Sequence, residues 1–363
     1  MFVSTSQDGP HRTLTYQQVA DMIQVSPTGL NYWNVKPFIE QTDAKGKVDQ
    51  VEGYHLRDQL KLARGTSAFA RAFTDYMDAS RDVEILDRLN DAGGRVFPTF
   101  HPFGTISSRT LVSDPFLQEL RRDFRHVIAA DEAMELLYFD YAQFEPGIMA
   151  SLSGDEELQT LYNGGDVYKA LSRAIYGAED RRDLCKRIFL AFSYGMSLDA
   201  ITRLLSDNDR DRTGIAESVS VFFGRFPRLR QFKADAERHL AQHGFVGTLQ
   251  GNRRSRMSKG PLSAKERRWA VSQIVQGNAS LIFKHATKAI AERFGSNSIL
   301  LPMHDALLMQ CTPGDRQVLI DEVPEIMRFS FEHWCPNVVV KISVGSFGHV
   351  IPADKPMVQH VAY

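Results

Sequence analysis

Two short apolar runs, Ser298 to Met303 and Ala306 to Cys311, are separated only by His304-Asp305. Each has the length of a strand, so the pair reads as a hairpin carrying an acid in its turn. A third apolar run, Met134 to Phe139, is short enough for a buried strand and ends at Asp140. Helical periodicity fills much of the sequence between the two aspartates, at 155–205, 215–243 and 264–294. The expected class is α+β, with several strands gathered around two acid-bearing turns and long helices elsewhere.

The flanks are less constrained. Thr15 to Thr28 has the pattern of a first helix and turn of a helix-turn-helix, although a packing helix followed by Ser-Pro fits as well. Lys36 to Gly53 is polar and reads as a loop or linker. Residues 54–92 place Leu56, Leu60, Phe69, Phe73, Ile85 and Leu89 at helical spacing before Gly93-Gly94 breaks the pattern. Arg95 to Thr110 suggests turns and short strands, and 207–213 a charged loop. Phe245 to Leu249 reads as a strand turning at Gly251-Asn252, and Val338 to Val344 as a last β-branched strand.

Composition excludes several function classes. The 363 residues contain no run of ~18 apolar residues for a membrane span. The polar first ten residues do not look like a secretory signal, so a cytoplasmic protein is expected, in a bacterial, phage or plasmid setting. Cys185, Cys311 and Cys335 form no CxxC pair, which leaves neither a disulfide framework nor a zinc site. A net charge of −1 argues against coating nucleic acid by bulk attraction. Charge is uneven, however: residues 253–268 carry seven Lys/Arg against one Glu, a run that fits either a solvated face or a nucleic-acid contact.

Asp140 and Asp305 suit phosphoryl transfer, which needs metals at the attacking and leaving oxygens more than covalent help from protein. Arg182, Lys186, Leu190 and Tyr194 follow at spacing four and form one helical stripe. Its cations lie in the N-terminal half, where the backbone dipole also favours anions. Its apolar half suits a sugar and base. A basic amphipathic helix covering the core would show the same pattern.

Several motifs occur in a fixed order. They are Ile106-Ser-Ser, Asp114-Pro-x-Leu-Gln118, Asp140-Tyr-x-Gln-x-Glu145 and Ser151-Leu-Ser-Gly-Asp155. Arg182-x3-Lys186-x7-Tyr194-Gly-Met-Ser follows, then Thr248-Leu-x-Gly-x-Arg-Arg254, Gln276-Gly-x-Ala and His304-Asp305. Over roughly residues 55–350 this set resembles the family A, or DNA polymerase I-like, DNA polymerases. The resemblance implies a right-hand polymerase fold: an antiparallel palm sheet, helical fingers and a reduced helical thumb. Residues 1–92 would be the thumb-like region and 93–363 palm and fingers, with fingers at about 155–260. The few residues before Asp140 leave no room for an exonuclease domain, so a minimal form with low processivity, or one dependent on a partner protein, is expected.

The resemblance also implies roles. Asp140 and Asp305 would hold two Mg²⁺ ions, or Mn²⁺ in their place, with the Tyr141 carbonyl as an auxiliary ligand. Lys186 and Arg182 would bind the triphosphate of a deoxynucleotide, and Lys186 would donate a proton to pyrophosphate. Tyr194 would stack near the nascent base pair, Glu145 would crowd the sugar 2′ position, and Gln143, Leu190 and Tyr168 would line the nucleotide site. Arg254, Arg268, Gln276 and His304 would touch primer-template. Single-subunit phage RNA polymerases share both acids but lack a Glu at this offset, so Glu145 favours a DNA product.

Five positions depart from the family pattern. Ala306 stands for Glu, Leu190 for Phe or Tyr, Tyr168 for His, Gly147 for Arg, and Thr105 for an Arg that reads the minor groove. Rival readings are a template-independent or non-standard nucleotidyltransferase on this scaffold and a non-catalytic DNA-binding assembly subunit.

Overall fold

The computed structural model describes residues 40–42, 48–50, 68–92, 94–198, 201, 212–345 and 347. The chain divides into two compact units, one of Met1–Arg88 with Leu204–Asp209 and one of Leu89–Arg203 with Arg210–Tyr363. In the first, strands β1 (Glu40–Thr42) and β2 (Val48–Gln50) pair antiparallel, where the polar composition predicts only a loop. Helix α1 (Ala68–Asp91) ends before the Gly93-Gly94 break, and its last three residues count with the second unit. The helix-turn-helix-like stretch at 15–28 and most of the charged loop at 207–213 lie outside the described residues.

The second unit opens with a short antiparallel pair, β3 (Thr99–His101) and β4 (Leu111–Ser113). Strand β5 (Glu135–Ala142) follows, then helices α2 (Phe144–Ser153), α3 (Glu156–Gly164), α4 (Val167–Tyr176) and α5 (Arg182–Ser193). Next come α6 (Arg212–Gly224), α7 (Pro227–His243) and the small hairpin β6 (Phe245–Gly247) and β7 (Arg253–Ser255). The chain then runs through α8 (Ala264–Phe294), β8 (Ile299–Met303), β9 (Ala306–Cys311), α9 (Arg316–Glu332) and β10 (Lys341–Gly345). The main sheet has the order β10-β5-β9-β8 and is antiparallel throughout. None of the described helices is long and apolar enough to cross a membrane.

Alternation along β5 sets the two faces of this sheet. Leu137, Phe139 and Tyr141 are buried, while Tyr138, Asp140 and Ala142 are only partly covered. The buried face meets α9: the Tyr141 hydroxyl donates to the Met327 carbonyl at 2.7 Å. The Tyr141 ring stacks on Phe144 at 4.1 Å and leans on Phe331. Full burial of such a side chain contributes ~1.5–3 kcal/mol, and truncating Phe139 to Ala would cost ~3–5 kcal/mol. The strand continues two residues past Asp140, so this acid lies within the ladder rather than at its end. Pairing with both β9 and β10 is what carries the strand past the apolar run.

The helical layer is fixed by side-chain caps. Asp155 serves two helices: Oδ1 accepts the Leu158 amide of α3 at 3.0 Å, and Oδ2 accepts Arg228 and Leu229 amides of α7. That satisfies otherwise orphaned donors at both N-termini. Asp166 caps α4 through the Tyr168 and Lys169 amides. Ser263 and Glu266 form a reciprocal capping box at the start of α8. Behind α5, Phe189, Phe192, Phe223 and Phe226 cluster, with Phe192 and Phe223 rings 4.3 Å apart. Lys233 of α7 donates to the Phe192 carbonyl at 2.9 Å and so holds the C-terminal end of α5.

Candidate active site

Register brings the two aspartates together across 165 residues of sequence. Asp140 lies opposite Ala306 in the β5–β9 pair, and the Tyr141 amide donates to the Asp305 carbonyl at 3.4 Å. Asp305 and His304 form the turn between β8 and β9, with His304 at φ +61°. The turn is braced by Gln118, whose amide donates to the Pro302 carbonyl at 2.8 Å and to Thr110 at 3.1 Å. Ala306, in the place of the family's Glu, is a fully buried ladder residue.

Among the described residues, neither aspartate carboxylate accepts a hydrogen bond or forms an ion pair. Burial and the neighbouring Asp305 push Asp140 up to about 7, against the opposing pull of Lys186, Arg122 and Arg125. Asp305 is raised too, first by burial; Arg109, His304 and Lys186 oppose this, and Glu145 adds to it. Two like charges therefore share a partly desolvated site without donors, the setting in which the ionised form is disfavoured. A cation arriving there would relieve the repulsion.

Helix α5 supplies the facing charge. Lys186 is exposed and has no ion-pair partner among the described residues, yet its charge reaches both acids. Arg182, in the first turn, gives Nε to Asp166 at 2.8 Å and lies 5.3 Å above the Tyr168 ring. Leu190 is half-buried on the same face. Tyr194 caps the helix and donates its hydroxyl to Glu145.

Two residues expected to line the nucleotide are also built into the packing. Tyr168 is 2 % exposed and sets its ring edge-on to Phe189. Gln143, at φ +54°, accepts the Val167 amide at 2.8 Å and donates to Gly165, pinning the start of α4. A side chain committed to two backbone groups is a brace, which a single-sequence motif cannot reveal. Gly147 is required by packing: a Cβ there would sit 2.8 Å from the Tyr162 ring and hydroxyl and 3.0 Å from Phe331.

The basic run does not form one face. Arg256 is consumed by Glu266, Gly260 and Pro261, with its side chain 9 % exposed. Arg254 stacks on Trp269 at 4.1 Å and reaches Gln273 at 3.4 Å. Arg253 covers Phe245, and Arg267 pairs with Glu237 at 3.1 Å. Arg268 is exposed, and its Cγ lies 3.5 Å from where a Gly195 Cβ would be, beside the end of α5. Gln276 is half-buried with no hydrogen-bond partner among the described residues. The following Gly277 leaves space for the Thr248 methyl, which a Cβ would meet at 2.7 Å.

Three arginines were not singled out by motif. Arg122 and Arg125, in a 3₁₀ segment before β5, act on Asp140 by charge. Arg109 bonds Glu145 at 2.6 Å and is the leading charge acting on Asp305. Arg122 and Arg125 lie in a basic stretch shortly before β5, and Arg109 directly follows the Ile106-Ser-Ser motif.

The profile of DNA polymerase family A matches residues 54–348. DNA polymerase I of Caldicellulosiruptor bescii is 26% identical over 356 residues, covering 90% of this chain and 41% of that protein. Mycobacterium tuberculosis DNA polymerase I is 29% identical over 301 residues, covering 75% and 33% respectively. The Chloroflexus aurantiacus enzyme is 25% identical over 289 residues, covering 74% and 29%. The chain thus spans well under half the length of these relatives. In fold it is similar to the POL domain of Pol1 from M. smegmatis, solved in complex with DNA primer-template and dNTP. That match has a TM-score of 0.70, 23% identity, and covers 92% of this chain and 63% of that one. The α+β fold is therefore that of the polymerase domain, and the chain belongs to DNA polymerase family A.

Proposed function

We propose that this chain is a DNA-directed DNA polymerase that adds deoxynucleotides to a primer 3′-hydroxyl. The observation that carries the proposal is the pair Asp140 and Asp305, both raised first by burial and Asp140 also by the charge of Asp305, without donors, and faced by the unpaired Lys186. Adjacent bare carboxylates are the oxygen donor set that Mg²⁺ takes, completed by water and substrate phosphates. Asp140 and Asp305 would hold two such ions, with the Tyr141 carbonyl as an auxiliary ligand. When bound, the ions supply charge stabilisation to the attacking and leaving oxygens of an in-line displacement.

The protein's own groups do the positioning. Lys186 would hold the triphosphate and donate a proton to the departing pyrophosphate, and Arg182 would add its remaining N–H donors. Tyr194 and Leu190 would meet the base and sugar, with Glu145 beside the 2′ position. Arg254, Arg268, Gln276 and His304 would contact primer and template. The test is primer extension with a DNA template, an RNA template and no template, each with Mg²⁺ or Mn²⁺ and the four dNTPs singly and together. Templated incorporation that is lost in Asp140→Asn is expected. Growth of one repeated nucleotide without template would replace this reading with a template-independent transferase. DNA retention without any incorporation would replace it with a binding subunit. Long products in a single binding encounter would remove the expected need for a processivity partner.

A further inference from the structure

Glu145 is held from two sides. Oε1 accepts Arg109 Nη2 at 2.6 Å, and Oε2 accepts the Tyr194 hydroxyl at 2.5 Å. The pair is shielded, the side chains being 27% and 14% exposed. A carboxylate bonded through one oxygen can still turn about its last torsion. Engaged through both oxygens, by donors from different elements, it cannot.

The donor on the Arg109 side is itself fixed. Its amide donates to the Thr105 hydroxyl at 2.9 Å, and the Ser108 amide donates to the Thr105 carbonyl at 2.9 Å. Ser108 takes the left-handed conformation at φ +63°. Helix α8 then grips the loop three times: Gln273 donates to the Ile106 carbonyl at 3.1 Å, and Ser280 and Lys284 both donate to the Ser108 carbonyl. Thr105 stands where the family pattern has an arginine, and its hydroxyl helps to present Arg109 four residues later.

We propose that Arg109 is the positioning residue for sugar selection, acting by locking Glu145 in place. This rests on the polymerase reading and on Glu145 lying beside the sugar 2′ position. Glu145 is a third acid, close enough to Asp305 for its charge to act there, and the Arg109 ion pair keeps it engaged on its own side of the site. Without Arg109, Glu145 keeps only the Tyr194 bond and is free to swing away from the sugar or toward Asp305. Either movement opens the space that excludes a 2′-hydroxyl.

The experiment compares single-nucleotide incorporation of matched dNTP and rNTP by wild type, Arg109→Gln, Arg109→Lys, Glu145→Ala and the Arg109→Gln/Glu145→Ala pair. Thermal melts check folding. For Arg109→Gln, the dNTP-over-rNTP ratio of kcat/KM should fall about tenfold, the effect of losing one charge-assisted hydrogen bond. Arg109→Lys should restore part of that ratio. In the Glu145→Ala background, Arg109→Gln should change the ratio less than about twofold, because coupling through Glu145 is gone. Equal loss with both nucleotides, leaving the ratio intact, would overturn the inference. So would a full effect in the Glu145→Ala background, which would mean that Arg109 touches the nucleotide itself. A wild-type chain inert with every template overturns the polymerase reading along with it, whereas an active wild type with an unmoved ratio overturns this inference alone.

Discussion

Two acids in this fold, Asp140 and Glu266, behave oppositely. Glu266 accepts from Arg256, Ser258 and both the amide and hydroxyl of Ser263, and these donors hold its carboxyl down to about 2. Asp140 accepts from no described donor, and burial beside Asp305 pushes it up to about 7. A structural acid is saturated where it sits; an acid kept for a ligand is left short of donors and costs stability until the ligand arrives. The contrast separates the capping box of α8 from the candidate metal site more sharply than any motif.

The strongest way to break the comparison is to neutralise each acid in turn. Asp140→Asn or Asp305→Asn should reduce incorporation by ~10³-fold or more in primer extension, since charge placed at the reacting centre supplies that much. The same variants should keep DNA binding and melt no lower than wild type in metal-free buffer at pH 8, because the repulsion is gone. A clear loss of stability there would mean that Asp140 is structural after all. Lys186→Ala comes next: kcat/KM for dNTP should fall ~10–100-fold in steady-state kinetics, the range for one charged hydrogen bond. Melting should be unchanged, as Lys186 is exposed and has no ion-pair partner among the described residues.

Glu266→Gln should invert the pattern. It strips the charge from a group with Arg256 bound to it, so Arg256 is left with its 9 % exposed side chain uncompensated. The melting temperature should drop by several degrees, while the Mg²⁺ dependence of incorporation stays as in wild type. A shifted metal dependence would show that the α8 terminus and the aspartates are coupled.

How much of this was legible in sequence follows from the range of the contacts. The hairpin at 299–311 and the stripe on α5 rest on periodicity and near neighbours, so the apolar pattern gives them away. The length of β5 does not, because its last residues are held by strands from the far end of the chain. Gln143 and Tyr168 are marked by motif in one dimension, and their part in the packing shows only in three. Arg109 is the reverse case: it directly follows the Ile106-Ser-Ser motif without belonging to it, and its role appears only in its bond to Glu145 and in the grip of α8, some 170 positions later, on its loop. Paired strands at 40–50 were hidden for a related reason, as polar side chains carry no alternation to read.

The smallest expected effect concerns stability and pH, and it tests the cause assigned to Asp140. An unfolded aspartate titrates near ~3.9, whereas folded Asp140 titrates at about 7. Between these values the folded protein holds a proton that the unfolded chain has released, so ∂ΔG/∂pH is negative. The contribution is fully present below the unfolded value and is lost as pH rises through the folded one. Asp305, shifted in the same direction, adds to the slope. In metal-free buffer this pair should therefore lower the melting temperature progressively between about pH 4 and pH 7, a window set by those two values. Added Mg²⁺ binds the ionised pair and stabilises only the folded state, so its benefit should be larger at pH 8 than at pH 5. Asp140→Asn should flatten the metal-free slope and shrink the Mg²⁺ increment together. If Mg²⁺ raised the melting temperature equally at both pH values, the ions would be binding away from these carboxylates, and the raised values would reflect burial without a ligand to balance it.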